Sequence, residues 1–139
     1  EQTHHGPILD KPCMFIEIGS SEEQWQDKKA GEIIAKIIIS ILKKPIQKYR
    51  VAMLLGGGHY NQMANKIMLR TDIAVGHICA KHNLEYLNED MLIQAINRTS
   101  EKVDLVILDW KGLGGYKQKV VDLLEKLNLN YERAQRILK

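Results

Sequence analysis

Apolar residues along this chain form two kinds of pattern. Short continuous apolar runs alternate with longer segments in which apolar residues recur at helical spacing. Continuous short runs are typical of strands buried on both faces of a sheet, whereas helical spacing indicates amphipathic helices. Strands are therefore predicted at residues 14–18, 50–55, 73–79 and 103–108.

The segments between and after these strands predict helices. Ser21 with Gln24 forms a capping-box pattern at the start of the first helix, and Pro45 marks its end. Asn88 and Asn130 are predicted caps further along the chain. The other helices are predicted at residues 61–70, 89–97 and 116–127, followed by a short one from residue 130 to about residue 138.

The alternation of strands with helices favours an α/β fold. We expect a three-layer arrangement, a mostly parallel sheet with helices on both faces, in a single domain spanning residues 1–139. Because parallel strands place their carboxyl ends at one edge, residues distant in sequence are expected to meet there. The segments expected at this edge are residues 17–20, 56–60, 77–81 and 109–112.

Composition changes this picture little. The chain has 139 residues, of which 45% are hydrophobic and 27% charged, as is ordinary for one globular domain. Its net charge of +3 is compatible with a nucleic-acid partner but does not require one. Cys13 and Cys79 lack metal-ligand spacing and favour buried thiols in a reducing compartment such as the cytoplasm. No apolar stretch approaches the ~18 residues of a transmembrane helix.

The stretch Gly56-Gly57-Gly58-His59-Tyr60 carries the strongest functional indication. It follows a predicted buried strand, and its glycines leave a backbone that a ligand can approach closely. An imidazole at this edge can act as a general base or bind a metal. The alternative is a histidine that hydrogen-bonds a backbone carbonyl within a turn. The stretch matches neither the Walker loop nor the dinucleotide fingerprint.

Other polar side chains near this edge have both a functional and a structural interpretation. His77, next to Gly76, is either a site residue or a satisfied core histidine. Glu17 and Asp109 lie within or at the end of apolar runs, where an unpaired carboxylate is costly, so each either orients a histidine or caps a loop. His82 is interpreted as a surface residue.

Basic residues divide between the two edges of the predicted sheet. One group follows strand carboxyl ends and would meet a phosphate-bearing substrate first. This group is Lys81, Lys111, Lys117 and Lys119. A second group leads into the second strand and is interpreted as a solvated face; it consists of Lys43, Lys44, Lys48 and Arg50.

Several separated motifs together are similar to one protein family. They are Thr3-His4-His5-Gly6-Pro7, the segment FIEIGSSEEQW at residues 15–25, the glycine–histidine stretch at residues 56–60, and Gly76-His77-Ile78 with Lys81. Their order and rough spacing resemble the archaeal and plant type of D-aminoacyl-tRNA deacylase over most of the chain. Residues 3–7 taken alone resemble an expression tag or cloned linker, but the resemblance to the family indicates that they are native sequence. Because the resemblance is to the carboxyl-terminal part of longer proteins, we expect the chain to be a fragment or such a part.

The resemblance implies a fold similar to peptidyl-tRNA hydrolases and nucleoside phosphorylases. It implies hydrolysis of the ester that joins a D-amino acid to the 3′-terminal ribose of tRNA. Zinc is associated with members of the family, and His4, His5 and His59 are the candidate ligands. Their spacing does not itself indicate a metal site.

On this hypothesis, His59 positions or deprotonates the attacking water, or ligates a metal that does so, and the Gly57 and Gly58 N–H groups stabilise the oxyanion. The other predicted catalytic residues are His4, His5, Glu17 and His77. The predicted substrate-binding residues are Gly56, Gly57, Gly58, Tyr60, Lys81 and Lys111, and the partner is the aminoacylated 3′ end of tRNA.

The residues that follow Tyr60 depart from the family pattern. Asn61-Gln62-Met63 stands where the resemblance leads us to expect a small residue, a proline and a basic residue. Together with the length of the chain, this departure keeps a second hypothesis open, a non-catalytic tRNA-binding domain derived from such an enzyme. A third hypothesis is a phosphorylase-like enzyme that acts on nucleosides or nucleotides.

Overall fold

The structure of the protein is a computed structural model that describes residue 11 and residues 16–19, 21–45 and 47–139. Its central element is a four-stranded sheet, in which every neighbouring pair of strands is parallel. The spatial order is β2-β1-β3-β4. The strands are β1 (Arg50–Leu55), β2 (Ile73–Cys79), β3 (Val103–Leu108) and β4 (Tyr131–Arg133).

Helices connect these strands, as the spacing of apolar residues predicts. Short 3₁₀ turns at Lys81–Asn83 and Gly114–Tyr116 follow β2 and β3. The helices are α1 (Glu22–Trp25), α2 (Lys28–Lys43), α3 (Gln62–Arg70), α4 (Glu89–Asn97), α5 (Lys117–Lys126) and α6 (Ala134–Ile137). No helix formed by the described residues is both long and apolar enough to cross a membrane.

Two apolar clusters cover opposite faces of the sheet, and their members alternate along the strands. On one face, Met53 and Leu55 of β1 belong to a cluster that includes Leu92 of α4 and Leu124 of α5. On the other face, Ala52 and Leu54 pack with residues of α3 and α6, the buried members of that cluster being Ala52, Leu54, Ala64, Ile67, Ile73, Leu105, Ile107 and Ala134. The predicted three-layer α/β fold is therefore confirmed.

The predicted first strand, residues 14–18, is not observed where it can be assessed. Met14 and Phe15 lie outside the described residues, while Ile16 to Ile18 are not in a strand. Ile16 is 41% exposed, so this part of the apolar run is not buried on both faces as a central strand would be.

The predicted helix starting near Asn130 is wrong at its amino end. Residues 131–133 form β4, which pairs with Val106, Ile107 and Leu108 of β3, and α6 begins only at Ala134. The backbone N–H of Val106 donates to the Asn130 carbonyl at 2.9 Å. Pairing with β3 therefore replaces the local helical preference in this segment.

The cap of α2 also differs from the prediction. Asp27 caps α2, its carboxylate accepting from the N–H groups of Lys29 at 2.8 Å and Ala30 at 3.3 Å. Ser21 instead precedes the separate helix α1, and its hydroxyl contacts the Gln24 side chain. Because Asp27 satisfies the free amides of the first turn, the long helix begins there.

Candidate functional site

The glycine stretch after β1 forms a turn that is fastened to two neighbouring loops. Gly56 and Gly57 both have positive φ, 100° and 82°, which L side chains rarely adopt. Gly56 donates its N–H to the Cys79 carbonyl at 2.9 Å, and the Lys81 N–H donates to the Gly57 carbonyl at 2.9 Å. The predicted meeting of the ends of β1 and β2 at one edge is therefore observed.

Two of the three glycines are required by contacts within the chain itself. A Cβ on Gly56 would lie 3.0 Å from the backbone of Asp109 and of Leu113, and one on Gly57 would lie 2.6 Å from the Asn61 side chain. A Cβ on Gly58 would meet nothing within 4 Å. The close backbone approach at Gly56 and Gly57 is thus made by the protein, and Gly58 is the glycine that faces open space.

The turn after β3 completes this edge and is built around Asp109. The Asp109 carboxylate accepts from the Gly112 N–H at 3.1 Å, and the Leu113 N–H donates to the Asp109 carbonyl at 2.8 Å. The Asp109 N–H donates in turn to the Leu55 carbonyl at 3.0 Å. Of the two roles considered for Asp109, the structure displays the capping of a loop.

These turns enclose an open cleft, which we call the glycine cleft. Its volume is about 530 Å³, within the range of small-molecule sites. The residues that line it come from all three turns, and they are Gly57, Gly58, Lys81, His82, Lys111, Gly112 and Tyr116. The cleft therefore contains both lysines that the sequence assigns to substrate binding.

The four lysines predicted near phosphates separate into two pairs. Lys119 donates to the Leu84 and Glu85 carbonyls at 2.8 and 2.6 Å, and Lys117 donates to the Gly114 carbonyl at 2.7 Å. These two ammonium groups hold loops of the protein. Lys81 and Lys111 line the glycine cleft, so they are the members of the set placed to meet an anionic ligand.

His59 lies half-buried beside the cleft, with aromatic neighbours on two sides. Its ring centroid is 5.0 Å from that of Tyr60, in an edge-to-face arrangement, and 6.4 Å from that of His82. Tyr60 itself is 85% exposed. His82 lines the cleft, whereas His59, next to the lining residue Gly58, is not itself among the lining residues.

His82 is interpreted from the sequence as a surface residue, and its place in the cleft was not predicted. The side chain is exposed, yet it lines the glycine cleft from the 3₁₀ turn after β2. Its position immediately after Lys81, at the carboxyl edge of the sheet, was the feature that could have identified it. Gly112 belongs to the segment expected at this edge but was not assigned to substrate binding, and Tyr116 was assigned no role in the site.

His77 is tied to α4 through Thr99 and is not among the residues that line the cleft. The Thr99 hydroxyl donates to the Ala95 carbonyl at 2.9 Å, so it accepts from the His77 Nδ1–H at 3.0 Å. Gly76 allows this contact, because a Cβ there would lie 2.8 Å from the Thr99 methyl carbon. The catalytic role of His77 stays a prediction.

The environment of His77 predicts a pH-dependent stability. Burial lowers the pKa of His77 below its ordinary value, because it disfavours the charged ring. The unfolded chain then binds more protons as pH falls through about 6.5, so stability decreases below that pH until the folded-state pKa is reached. In urea unfolding followed from pH 7.5 to 5.5, we expect wild type to lose more stability than His77→Gln. Equal losses in the two proteins would contradict this account.

The remaining predicted site residues lie elsewhere or outside the described chain. His4 and His5 are outside the described residues, so their assignment to catalysis or to zinc stays a prediction. Glu17 is exposed and lies outside any strand. Within the described residues, no group of three His, Cys, Asp or Glu side chains could hold a metal ion.

Comparisons with known proteins place this geometry in a family context. The family model described as D-aminoacyl-tRNA deacylase matches residues 1–132. Proteins named D-aminoacyl-tRNA deacylase from Thermococcus kodakarensis and Pyrococcus furiosus are 46% identical over 136 residues and 42% identical over 133 residues. These matches cover 96% and 94% of this chain but 50% and 48% of the relatives. The chain thus spans about half the length of the curated relatives it matches.

A solved structure shares the fold. The crystal structure of AF0625, described as a conserved protein of unknown function, matches with a TM-score of 0.75 and 27% sequence identity. The match covers 86% of this chain and 42% of that one. It supports the same parallel α/β architecture over most of the chain.

Proposed function

Because this chain belongs to the D-aminoacyl-tRNA deacylase family, we propose that it hydrolyses the ester of D-aminoacyl-tRNA in the glycine cleft. The products are the free D-amino acid and tRNA, and the reaction takes place in the cytoplasm. One observation carries the proposal from the structural side. Lys81 and Lys111 line the same cleft as the glycine backbone, so a phosphate-bearing ligand can be held with its 3′ end beside the predicted reactive groups.

Hydrolysis of the ester requires a base, a bound water and groups that stabilise negative charge. His59 accepts a proton from water as its oxygen attacks the ester carbonyl carbon. The Gly57 and Gly58 N–H groups stabilise the oxyanion that forms on the carbonyl oxygen. When the bond to the ribose oxygen breaks, that oxygen takes the proton from the His59 imidazolium, which restores the neutral base. The ester is an activated bond, so this modest set of groups suffices.

Discrimination between D- and L-aminoacyl groups belongs to the shape of the site. The same base and the same amides act on either ester, so only the fit of the Cα substituents separates the two substrates. The glycine cleft is open to solvent and has a backbone wall at Gly57, Gly58 and Gly112. We propose that this wall accommodates the Cα substituents of the D-aminoacyl group. With the L-aminoacyl group, the same wall would hold the ester carbonyl away from His59.

Zinc held by His4, His5 and His59 remains a proposal of its own. Of these three histidines the structure describes only His59, so we derive no step of the reaction through a metal. The chemistry of the donors is suitable, since three neutral imidazoles form a known catalytic zinc set. A bound zinc would polarise the ester carbonyl or activate water.

The test compares release of tyrosine from D-tyrosyl-tRNA and L-tyrosyl-tRNA, with tRNA binding measured in parallel. We expect the D-ester to be hydrolysed at least about 10-fold faster, the difference a contact of ~1.4 kcal/mol would give. Tight binding of tRNA without hydrolysis would replace this proposal by the non-catalytic domain, and phosphate-dependent nucleoside cleavage would replace it by the phosphorylase-like enzyme. A parallel assay in the presence of a chelator tests zinc, whose proposal fails if the rate is unchanged and the protein contains no metal.

A further inference from the structure

Asn61 links the glycine stretch to the start of α3 through both ends of its side-chain amide. Its side chain is buried, with 6% exposed, and among the described residues no other polar or charged residue is buried. Its Nδ2 donates to the Gly56 carbonyl at 2.8 Å, and its Oδ1 accepts from the Ala64 N–H at 2.9 Å. The opposite orientation of the amide would set a donor against a donor and an acceptor against an acceptor, so these two partners determine it.

The bond to Gly56 determines where the next backbone N–H points. In a planar trans peptide the C=O and the N–H point in opposite directions. Holding the Gly56 carbonyl against Asn61 therefore directs the Gly57 N–H away from Asn61. The Gly57 nitrogen lies against Gly112, a residue that lines the cleft, 2.4 Å from where a Cβ of Gly112 would be.

The following peptide is held in a similar way by a different residue. The Gly57 carbonyl accepts from the Lys81 N–H at 2.9 Å, which directs the Gly58 N–H away from Lys81. Among the described residues, neither the Gly57 nor the Gly58 N–H has a hydrogen-bond acceptor. Gly57 and Gly58 both line the cleft. Two free amides are thus held in fixed directions by bonds to the carbonyls that precede them.

We infer that Asn61 is a positioning residue, which orients the Gly57 N–H for the oxyanion of the reaction proposed above. The inference rests on that proposed function. A fixed donor costs no reorganisation when charge develops on the substrate, and this is the source of its catalytic value. Asn61 stands where the family resemblance leads us to expect a small residue.

The Asn61→Asp variant distinguishes the orientation of the Gly57 peptide from the capping of α3. Asn61→Asp keeps an acceptor for the Ala64 N–H but removes the donor to the Gly56 carbonyl. Asn61→Ser also retains capping ability without adding charge, and its hydroxyl, attached directly to Cβ, does not reach the position from which Nδ2 donates to the Gly56 carbonyl. Asn88→Asp is the matched control, because Asn88 caps α4 by accepting from the Met91 N–H at 2.9 Å and lies exposed.

We expect both variants at position 61 to lower kcat by about 10- to 100-fold with little change in KM, up to the loss seen when an oxyanion donor is removed. Asn88→Asp is expected to retain wild-type kcat. In amide NMR spectra, the Gly57 resonance is expected to shift in Asn61→Ser but not in Asn88→Asp. Thermal unfolding identifies any loss of fold in the same samples.

Two results would overturn the inference separately from the proposed function. Unchanged kcat in both folded variants at position 61 would show that Asn61 does not position the reaction. An unchanged Gly57 resonance would show that Asn61 does not orient this peptide. A wild-type protein that hydrolyses no aminoacyl ester would instead overturn the proposed function, and with it the catalytic part of the inference, while the NMR comparison would still decide the orientation of the peptide.

Discussion

Replacing Gly112 with alanine is expected to destabilise the protein by about 2–4 kcal/mol and to abolish activity. The new Cβ would lie 2.3 Å from Asp109 Oδ2 and 2.4 Å from the Gly57 nitrogen. The carboxylate can rotate away only by giving up its bond to the Gly112 N–H. The Gly57 nitrogen belongs to the backbone, so the turns after β1 and β3 would have to separate.

Urea unfolding measures this cost, and Gly115→Ala is its matched control. Gly115 lies three residues away, and a Cβ there would meet nothing within 4 Å. We expect Gly115→Ala to stay within about 0.5 kcal/mol of wild type, as most surface substitutions do. Equal stabilities of Gly112→Ala and Gly115→Ala would mean that the two turns are not packed as described.

Much of the sheet could be predicted because its central strands, β1 and β3, are buried over most of their length. β1, β2 and β3 are apolar runs typical of a parallel sheet, and their bounds agree with the sequence pattern, although β2 lies at the edge of the sheet and is mostly half-buried. Once these strands were parallel, topology alone brought the glycine stretch, Lys81 and Lys111 to one edge. The position of the cleft therefore followed from patterning and topology.

β4 could not be predicted, because it has no apolar pattern. Its three residues, Tyr131, Glu132 and Arg133, are exposed or half-buried, and the strand exists through its pairing with β3. Arg133 also stacks on Trp110, with its guanidinium carbon 3.7 Å from the ring centroid. Interactions of this kind join residues distant in sequence, so local propensity does not reveal them.

The reason for the glycines could be predicted only in part. Their presence at a strand end correctly indicated a close backbone approach, but the approaching groups at Gly56 and Gly57 belong to the protein. Asn61, noted in the sequence only as a departure from a family pattern, supplies one of them. A side chain that bonds the carbonyl five residues earlier has no sequence pattern of its own, because its geometry arises from the turn.

The assignment of His59 as the base makes the second large prediction. His59→Ala is expected to lower kcat on D-tyrosyl-tRNA by about 100- to 10,000-fold, the usual contribution of a general base. The fold should persist, because the His59 side chain is half-buried and absent from both apolar clusters. His82→Ala is the matched comparison, since the His82 side chain lines the cleft and its ring lies 6.4 Å from that of His59. We expect this variant mainly to raise KM.

We propose that the aminoacyl ester is hydrolysed in the glycine cleft. The most direct test of this proposal is the single-turnover rate of D-tyrosine release, with protein in excess over D-tyrosyl-tRNA, for wild type, His59→Ala and His82→Ala. Single-turnover conditions exclude product release, so the rate reports the chemical step. Hydrolysis in the glycine cleft with His59 as the base predicts rapid release by wild type, a loss of at least about 100-fold in His59→Ala and a much smaller loss in His82→Ala. A folded His59→Ala protein that releases D-tyrosine at the wild-type rate would contradict it.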